Sequence, residues 1–205
     1  MRRAWFFLFF LFLLIYPLAA QEEEPEDEFP DIIWDIYVPD VYRAGDMMFH
    51  ITAGTIFPTI FTGSGIERNN HGINTIGGIG ALAYSYFLTP NWFIGGELRG
   101  MFIGTRAKNM LFIVPIGPYV GFQFTAGRFE FPIRLMVGIA PQLYTEDGYF
   151  GMIINPGVSV YYRFNPDWSF GLNLQWWMVP QWPKSGKNVL GNFLEISLSA
   201  RYHFQ

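Results

Sequence analysis

The feature that most constrains this chain is a strict alternation of apolar and polar side chains at its C-terminus. In the run 194–205, every second side chain is apolar until the final residue. The apolar set is Leu194, Ile196, Leu198, Ala200, Tyr202 and Phe204, and the polar set is Glu195, Ser197, Ser199, Arg201 and His203. A period of two is that of a β-strand with one apolar and one polar face. The run is also long enough to cross a bilayer at a tilt, which takes about 9–11 residues.

The same alternation recurs along the chain from Asp46 onward. We predict eight strands, at 46–57, 73–87, 92–103, 111–124, 129–142, 150–164, 168–179 and 191–204. Three connections are tight turns with Pro, Gly or Asn, at 88–91, 125–128 and 165–167. The other four, 58–72, 104–110, 143–149 and 180–190, are longer or more polar. Short turns at one end and longer loops at the other are typical of an outer-membrane barrel.

Five prolines conflict with this pattern, because proline removes a ladder donor and a closed barrel has no free edge. They are Pro115, Pro118, Pro132, Pro141 and Pro156. Bulges or strand ends account for some of them, and the sequence offers no account of all five.

Alternation alone also fits a soluble barrel whose apolar face points inward. Charge content favours the opposite, membrane-spanning arrangement. Only 18 of the 162 residues from Ala44 onward are charged, about 11%, whereas a soluble surface carries roughly 25–35%. The polar face is rich in small residues, which suit the narrow interior of an eight-stranded barrel. Aromatic residues gather at strand ends, where an interfacial girdle lies, and we assign to it Trp92, Phe124, Phe164, Trp168, Tyr202 and Phe204.

The N-terminus divides into two segments before the barrel, which we assign to 46–205. Residues 1–20 begin with the basic pair Arg2 and Arg3, continue with an apolar run and end with small residues at a possible cleavage site. This is the order of features in a secretory signal peptide. The apolar run, 5–15, is shorter than the roughly 20 residues of a spanning helix, so we expect cleavage rather than an uncleaved anchor. Residues 21–45 form an acidic periplasmic tail, with nine acids and one base between 21 and 43.

The predicted inward faces carry charges that must pair or keep water, because an unpaired buried charge costs several kcal/mol. This predicted lumen network consists of Glu97, Arg99, Glu130, Arg134, Arg163, Glu195 and Arg201. One interpretation is a polar plug of Glu–Arg pairs that closes the lumen. The other is a narrow pore or gate built from the same pairs. The plug is favoured.

The sequence contains few residue patterns that indicate a catalytic site. The histidines His50, His71 and His203 have no metal-like partner at close spacing, and no His-x-Ser pair occurs. The chain has no cysteine, which excludes disulfides, thiolate metal sites and a lipid-modified N-terminal cysteine. We therefore predict no catalytic residues, no metal site and no cofactor.

The mature chain resembles the small eight-stranded outer-membrane proteins of the OmpA-barrel, OmpX and OmpW kind, by its strand count, turn–loop asymmetry and closing strand. The resemblance implies an all-β fold, an eight-stranded antiparallel up-and-down transmembrane β-barrel in the bacterial outer membrane. It also implies a non-enzymatic role in envelope integrity or surface interaction. The expected partners are outer-membrane lipid and the barrel-assembly machinery, which would recognise the C-terminal strand, with no nucleic acid. The alternatives are a narrow porin-like channel for small or hydrophobic solutes, as in the OmpW branch, and, more distantly, a lipid A-modifying enzyme.

Overall fold

The structure, a computed structural model, describes residues 42–63, 76–104, 110–144, 147–181 and 189–204. The predicted signal peptide, residues 21–41 of the acidic tail, and loop residues 64–75, 105–109 and 182–188 lie outside these ranges. The described part of the chain contains no helix that is both long and apolar enough to cross a membrane.

The described strands form one closed antiparallel sheet. They are β1 (Met47–Gly63), β2 (Gly77–Phe87), β3 (Trp92–Gly104), β4 (Met110–Ile113), β5 (Ile116–Ala126), β6 (Phe129–Tyr144), β7 (Asp147–Arg163), β8 (Trp168–Gln181) and β9 (Val189–Phe204). β9 pairs with β1, which closes the barrel. β4 and β5 follow one another between β3 and β6, so the barrel has eight strand positions. The predicted eight-stranded antiparallel barrel is confirmed.

The boundaries differ from the predicted ones in two respects. The predicted fourth strand, 111–124, is divided into β4 and β5 at Val114 and Pro115. Several strands also run further into the predicted loops, since β1 ends at Gly63 and β7 begins at Asp147. The strand pairs therefore continue beyond the stretch in which apolar and polar residues alternate clearly. We call the end with the short turns the turn end and the opposite end the loop end.

The five prolines all lie where the hydrogen-bond ladder is broken on one side of the strand. Pro115 lies in the interruption between β4 and β5. Pro141 lies opposite this interruption on β6, and the carbonyl oxygen of Pro141 accepts a hydrogen bond from Val114 N at 2.9 Å. The other three lie at gaps in otherwise continuous registers, Pro118 between β5 and β6, Pro132 between β6 and β7, and Pro156 between β7 and β8. The prolines thus occupy positions where no ladder donor is used.

Two of the tight turns are closed in the same way. Thr89 Oγ1 accepts from Trp92 N at 3.0 Å, and Asn165 Oδ1 accepts from Trp168 N at 2.7 Å. In each turn the residue after the Thr or Asn is proline, whose fixed φ suits a turn. The third turn uses Gly127, whose φ of 60° lies in the left-handed region that glycine adopts readily. These turns fix the register of three hairpins.

The barrel has an apolar outside and a polar inside along most of its wall. On β8, for example, Phe170, Leu172 and Leu174 are exposed, whereas Asn173 and Gln175 are buried. A soluble barrel would show the reverse. The arrangement suits a wall that faces lipid on one side and a narrow lumen on the other.

Candidate functional site: the filled lumen

At mid-height the lumen holds four charged side chains, which we call the central cluster: Glu97, Arg99, Arg134 and Glu195. Arg99 is ion-paired with both glutamates. Arg134 Nη1 lies 2.5 Å from Glu97 Oε2, and its Nη2 donates to Gln175 Oε1 at 2.9 Å. Two arginines face two glutamates, so the formal charge of the cluster is zero.

Neutral donors complete the coordination of Glu195, which is fully buried. Trp177 Nε1 donates to Glu195 Oε2 at 2.7 Å, and Ser197 Oγ donates to Oε1 at 2.6 Å. Since a buried carboxylate is tolerated only when its oxygens are bonded, these contacts explain how Glu195 sits in the lumen.

A second group of charges, the turn-end cluster, consists of Glu130, Arg163 and Arg201. Arg163 Nη1 and Arg201 Nη1 each lie 3.3 Å from a Glu130 oxygen. Tyr42 Oη donates to the same carboxylate at 2.6 Å, and Arg201 Nη1 also donates to Gln123 Oε1 at 3.2 Å. Here two arginines face one glutamate.

The structure therefore brings the seven predicted lumen charges into two ion-paired groups. Each arginine also lies against an aromatic ring, a contact that guanidinium groups make favourably. The distances from the guanidinium carbon to the ring centroid are 5.8 Å for Arg99 and Trp177, 5.2 Å for Arg134 and Tyr119, 5.0 Å for Arg163 and Tyr42, and 3.3 Å for Arg201 and Tyr161.

Aromatic side chains fill the turn end of the lumen. Tyr42 stacks on Phe87, with ring centroids 4.2 Å apart and an interplanar angle of 9°. Phe93 lies next to Phe87 at 5.5 Å, and its ring lies over Gly121, where a Cβ would collide with it. Burial, and then the neighbouring carboxylate of Glu130, raises the pKa of Tyr42 well above its ordinary value, so the phenol keeps the proton that it donates.

Tyr42 is the one member of this aromatic group that precedes the strands. A turn holds it in place, in which Arg43 N donates to Asp46 Oδ2 at 2.8 Å and Gly45 N donates to Phe87 O at 2.9 Å. Gly45 has a φ of 104°, which a side chain would disfavour. The chain before β1 is thereby fastened to the end of β2, with Tyr42 directed into the barrel.

Apolar side chains predominate at the loop end of the lumen, where Gln142 is a buried polar exception. The buried apolar side chains at this end include Ile56, Ile79, Met101, Ile103, Leu111, Ile113, Ala140, Ile153, Val179 and Phe193. This layer was not predicted from the sequence, because the predicted lumen network consisted of charged residues and the inward side chains at the loop ends of the strands are mostly uncharged. The signal was present, since Ile103 and Ile113 hold inward positions of their strands.

The structure also forms two serine–histidine pairs that sequence spacing could not reveal. Ser85 Oγ lies 2.8 Å from His50 Nε2, and Ser169 Oγ lies 2.8 Å from His203 Nε2. Such pairs are the start of a nucleophilic site. However, both serines are completely buried, and Ser85 Oγ is also bonded to Tyr119 Oη at 2.6 Å. Neither serine is exposed in this structure.

The described ranges also contain no group of three or more His, Cys, Asp or Glu side chains that could bind a metal ion. His71 lies outside those ranges.

Comparisons with solved structures identify the fold. Neisserial surface protein A superposes with a TM-score of 0.60 at 10% identity, covering 78% of this chain and 97% of that chain. The outer membrane protein OprG of Pseudomonas aeruginosa gives 0.54 at 11% identity, covering 80% and 98%. A protein-family model matches residues 23–202, most of the chain. The chain has the fold of the small outer-membrane β-barrel proteins.

Two relatives of this outer-membrane barrel come from spirochaetes. An uncharacterized protein of Treponema pallidum (strain Nichols) is 31% identical over 124 residues, which cover 60% of this chain and 57% of that protein. An uncharacterized protein of Borreliella burgdorferi is 29% identical over 145 residues, covering 60% and 68%. The match thus spans little more than half of the Treponema protein.

On the outside of this outer-membrane barrel, the predicted girdle residues gather near the turn end. Trp92 contacts Phe122 with ring centroids 5.2 Å apart, and Trp168 contacts Tyr202 at 5.1 Å. Phe124 stacks on Phe131 at 5.0 Å, Phe164 lies 6.4 Å from Phe170, and Phe204 lies 5.0 Å from Tyr202. Outward aromatic rings at one level are the arrangement that an interfacial belt requires.

Proposed function

We propose that this protein is a non-enzymatic integral outer-membrane protein with a closed lumen, acting in envelope integrity or surface interaction. The observation that carries closure is the filling of the lumen at three successive levels. Tyr42 and Phe87 lie at the turn end, the Glu–Arg pairs of the central cluster at mid-height, and apolar side chains at the loop end. Separating a buried ion pair costs several kcal/mol, so an ion-sized path through the central cluster is unfavourable. The role itself follows from the resemblance to small outer-membrane barrels.

Single-channel recording in planar lipid bilayers tests closure. We expect wild-type protein, Glu97→Ala and Arg134→Ala all to be silent, because the turn-end and loop-end levels remain filled in both variants. If the central pairs act as a gate, at least one variant conducts where the wild type does not. A conducting wild type contradicts the closed lumen outright. Heat-modifiable migration on a gel serves as the folding control for each sample.

A second candidate function, a channel for small or hydrophobic solutes, has one observation in its favour. An apolar groove of about 570 Å³ lies on the barrel wall beside the ladder gap at Pro118, lined in part by Gly95 and Gly96. Swelling of liposomes that contain the protein separates the two functions. We expect no swelling with sugars or small apolar solutes, whereas swelling would favour the channel.

The non-enzymatic part of the proposal rests on the burial of both serine–histidine pairs. We expect identical lipid A acyl-chain mass spectra from cells with and without the protein. We also propose export through a signal peptide cleaved after Ala20 and recognition of β9 by the barrel-assembly machinery. N-terminal sequencing of the mature protein should then begin at Gln21.

A further inference from the structure

The apolar groove beside Pro118 exists because one outward position of β3 carries no side chain. Trp92 and Ile94 point outward on this strand, and Gly96 holds the next outward position. Gly96 pairs with Tyr84 on β2 and with Pro118 on β5, which bound the space on both sides. A Cβ added at Gly96 would meet no heavy atom of a described residue, other than its chain neighbours, within 4 Å. The groove is therefore open on the wall that faces lipid.

The groove is inclined to the plane of the membrane. Its lining follows two neighbouring rows of outward residues that cross β2, β3, β5 and β6. The first row begins at Tyr86, next to the turn end of β2 at Phe87, and finishes at Leu135. Leu135 lies six residues beyond Phe129, where β6 begins at the turn end. The row therefore climbs from the turn end towards mid-height, as the tilt of barrel strands requires. The groove leads from the interfacial girdle into the wall.

The chemistry of the lining changes along this path. At the turn end the rings of Tyr84 and Tyr86 border the groove, and the ring centroid of Tyr84 lies 6.2 Å from that of the girdle residue Phe204. Tyrosine combines an apolar ring with a polar hydroxyl and is enriched at the membrane interface. At the β6 end the lining side chains are aliphatic, Leu135 and Val137. Amphipathic rings at the interface and aliphatic side chains further in match the headgroup region and the acyl chain of a phospholipid.

The floor of the groove separates it from the lumen. The Tyr119 ring packs against Gly95 from the inside, where a Cβ at Gly95 would collide with it. A solute in the groove therefore meets the Tyr119 ring instead of a path into the barrel. The wall of a second copy is convex and covered by exposed side chains, so it would bridge the recess instead of filling it. A single flexible chain fits the recess better than either.

We propose that this groove binds one acyl chain of a membrane phospholipid, whose headgroup lies at the level of Tyr86. Lipid surrounds the whole wall, so the hydrophobic effect does not favour one position over another. The preference comes from van der Waals packing, because a chain in the groove contacts protein atoms on its floor and on both flanks. This inference goes beyond the proposed function, and it assigns the groove to a bound lipid and not to a transported solute.

Gly100 provides a matched control on the same strand. It holds an outward position, and a Cβ added there would also meet no heavy atom of a described residue, other than its chain neighbours, within 4 Å. Gly100 does not belong to the lining of the groove. Gly96→Leu and Gly100→Leu thus add the same side chain to the same face of β3, and only Gly96→Leu fills the groove.

The test is native mass spectrometry of the full chain, folded in detergent micelles and titrated with phosphatidylethanolamine. We expect the wild type to retain one phospholipid at saturation. Gly96→Leu should raise the half-saturating lipid concentration by about tenfold, because the leucine side chain displaces the acyl chain from its packing contacts. Gly100→Leu should bind as the wild type does. Heat-modifiable migration on a gel is the folding control for both variants.

Equal retention by the wild type and both variants overturns the proposal. So does a dimer that is lost in Gly96→Leu while phospholipid retention stays the same, since the groove would then be occupied by a second copy. If Gly96→Leu does not fold, a phospholipid with a photoreactive diazirine in its acyl chain decides on the wild type. We expect cross-links concentrated on Ile94, Val120 and Val137 in the groove and few on Leu198, which is exposed on β9. Cross-links spread evenly around the wall contradict a specific site.

Discussion

Each buried arginine of the lumen has two kinds of partner, a glutamate and an aromatic ring. The carboxylate compensates the positive charge, and the ring covers one face of the planar guanidinium group. A guanidinium group tolerates this contact because it is less strongly hydrated than an ammonium group. This double environment suits the planar guanidinium group of each of the four buried arginines among the described lumen residues. The contacts of single residues, more than the pattern of the strands, therefore determine how the barrel interior is closed.

For single residues, we predict that two neighbouring substitutions on β9 lower the free energy of unfolding by different amounts. Glu195→Ala removes a partner of Arg99 and leaves a positive charge uncompensated in the central cluster, so the free energy of unfolding should fall by about 3–5 kcal/mol. Ser197→Ala removes one neutral donor to the same carboxylate and should cost only about 1 kcal/mol. Urea unfolding in lipid vesicles, followed by gel mobility, measures both. Equal losses would show that Arg99 is compensated without Glu195.

Among the structural elements, the strands around Pro156 show how the wall tolerates a missing donor. Pro156 stands at the gap in the β7–β8 ladder, where it cannot donate to Trp176 O. The side chain of the preceding residue, Asn155, donates to that carbonyl instead, at 3.1 Å. An unsatisfied carbonyl in a membrane-spanning wall would cost free energy, so the amide is a structural substitute for the backbone N–H.

A double-mutant cycle tests this substitution. Asn155→Leu keeps the side-chain size but removes the donor, and should lower the free energy of unfolding by about 1–3 kcal/mol. Pro156→Val restores a backbone N–H, so Asn155→Leu/Pro156→Val should be more stable than Asn155→Leu alone. Pro156→Val by itself should change little, because Asn155 already serves the carbonyl. If valine has the same effect with and without Asn155, the two residues do not share this role.

For the whole molecule, alternation was sufficient to predict the eight strand positions and, once the low charge content had set the polar face inward, which side chains enter the lumen. It placed Glu97, Arg134 and Glu195 in the lumen, because side-chain direction depends only on odd and even positions along a strand. It could not predict which charges meet, since the Glu97–Arg134 contact depends on barrel closure and side-chain reach across the lumen. The prolines stayed unexplained for the same reason, as a ladder gap is a property of two strands. Tyr42 was missed because it lies in the segment that the charge count assigned to the tail.

The orientation of the barrel in the envelope is the last prediction, and the absence of cysteine in the chain makes it directly measurable. Ile76, at the loop end, is 65% exposed, and Asp167 is exposed in a tight turn at the opposite end. If the short turns face the periplasm, a membrane-impermeant maleimide should label Ile76→Cys on intact cells, and Asp167→Cys only after lysis. Ser169→Cys, whose position is buried in the lumen, should react only after unfolding. Labelling of Asp167→Cys but not Ile76→Cys on intact cells would reverse the orientation and place the acidic segment outside the cell.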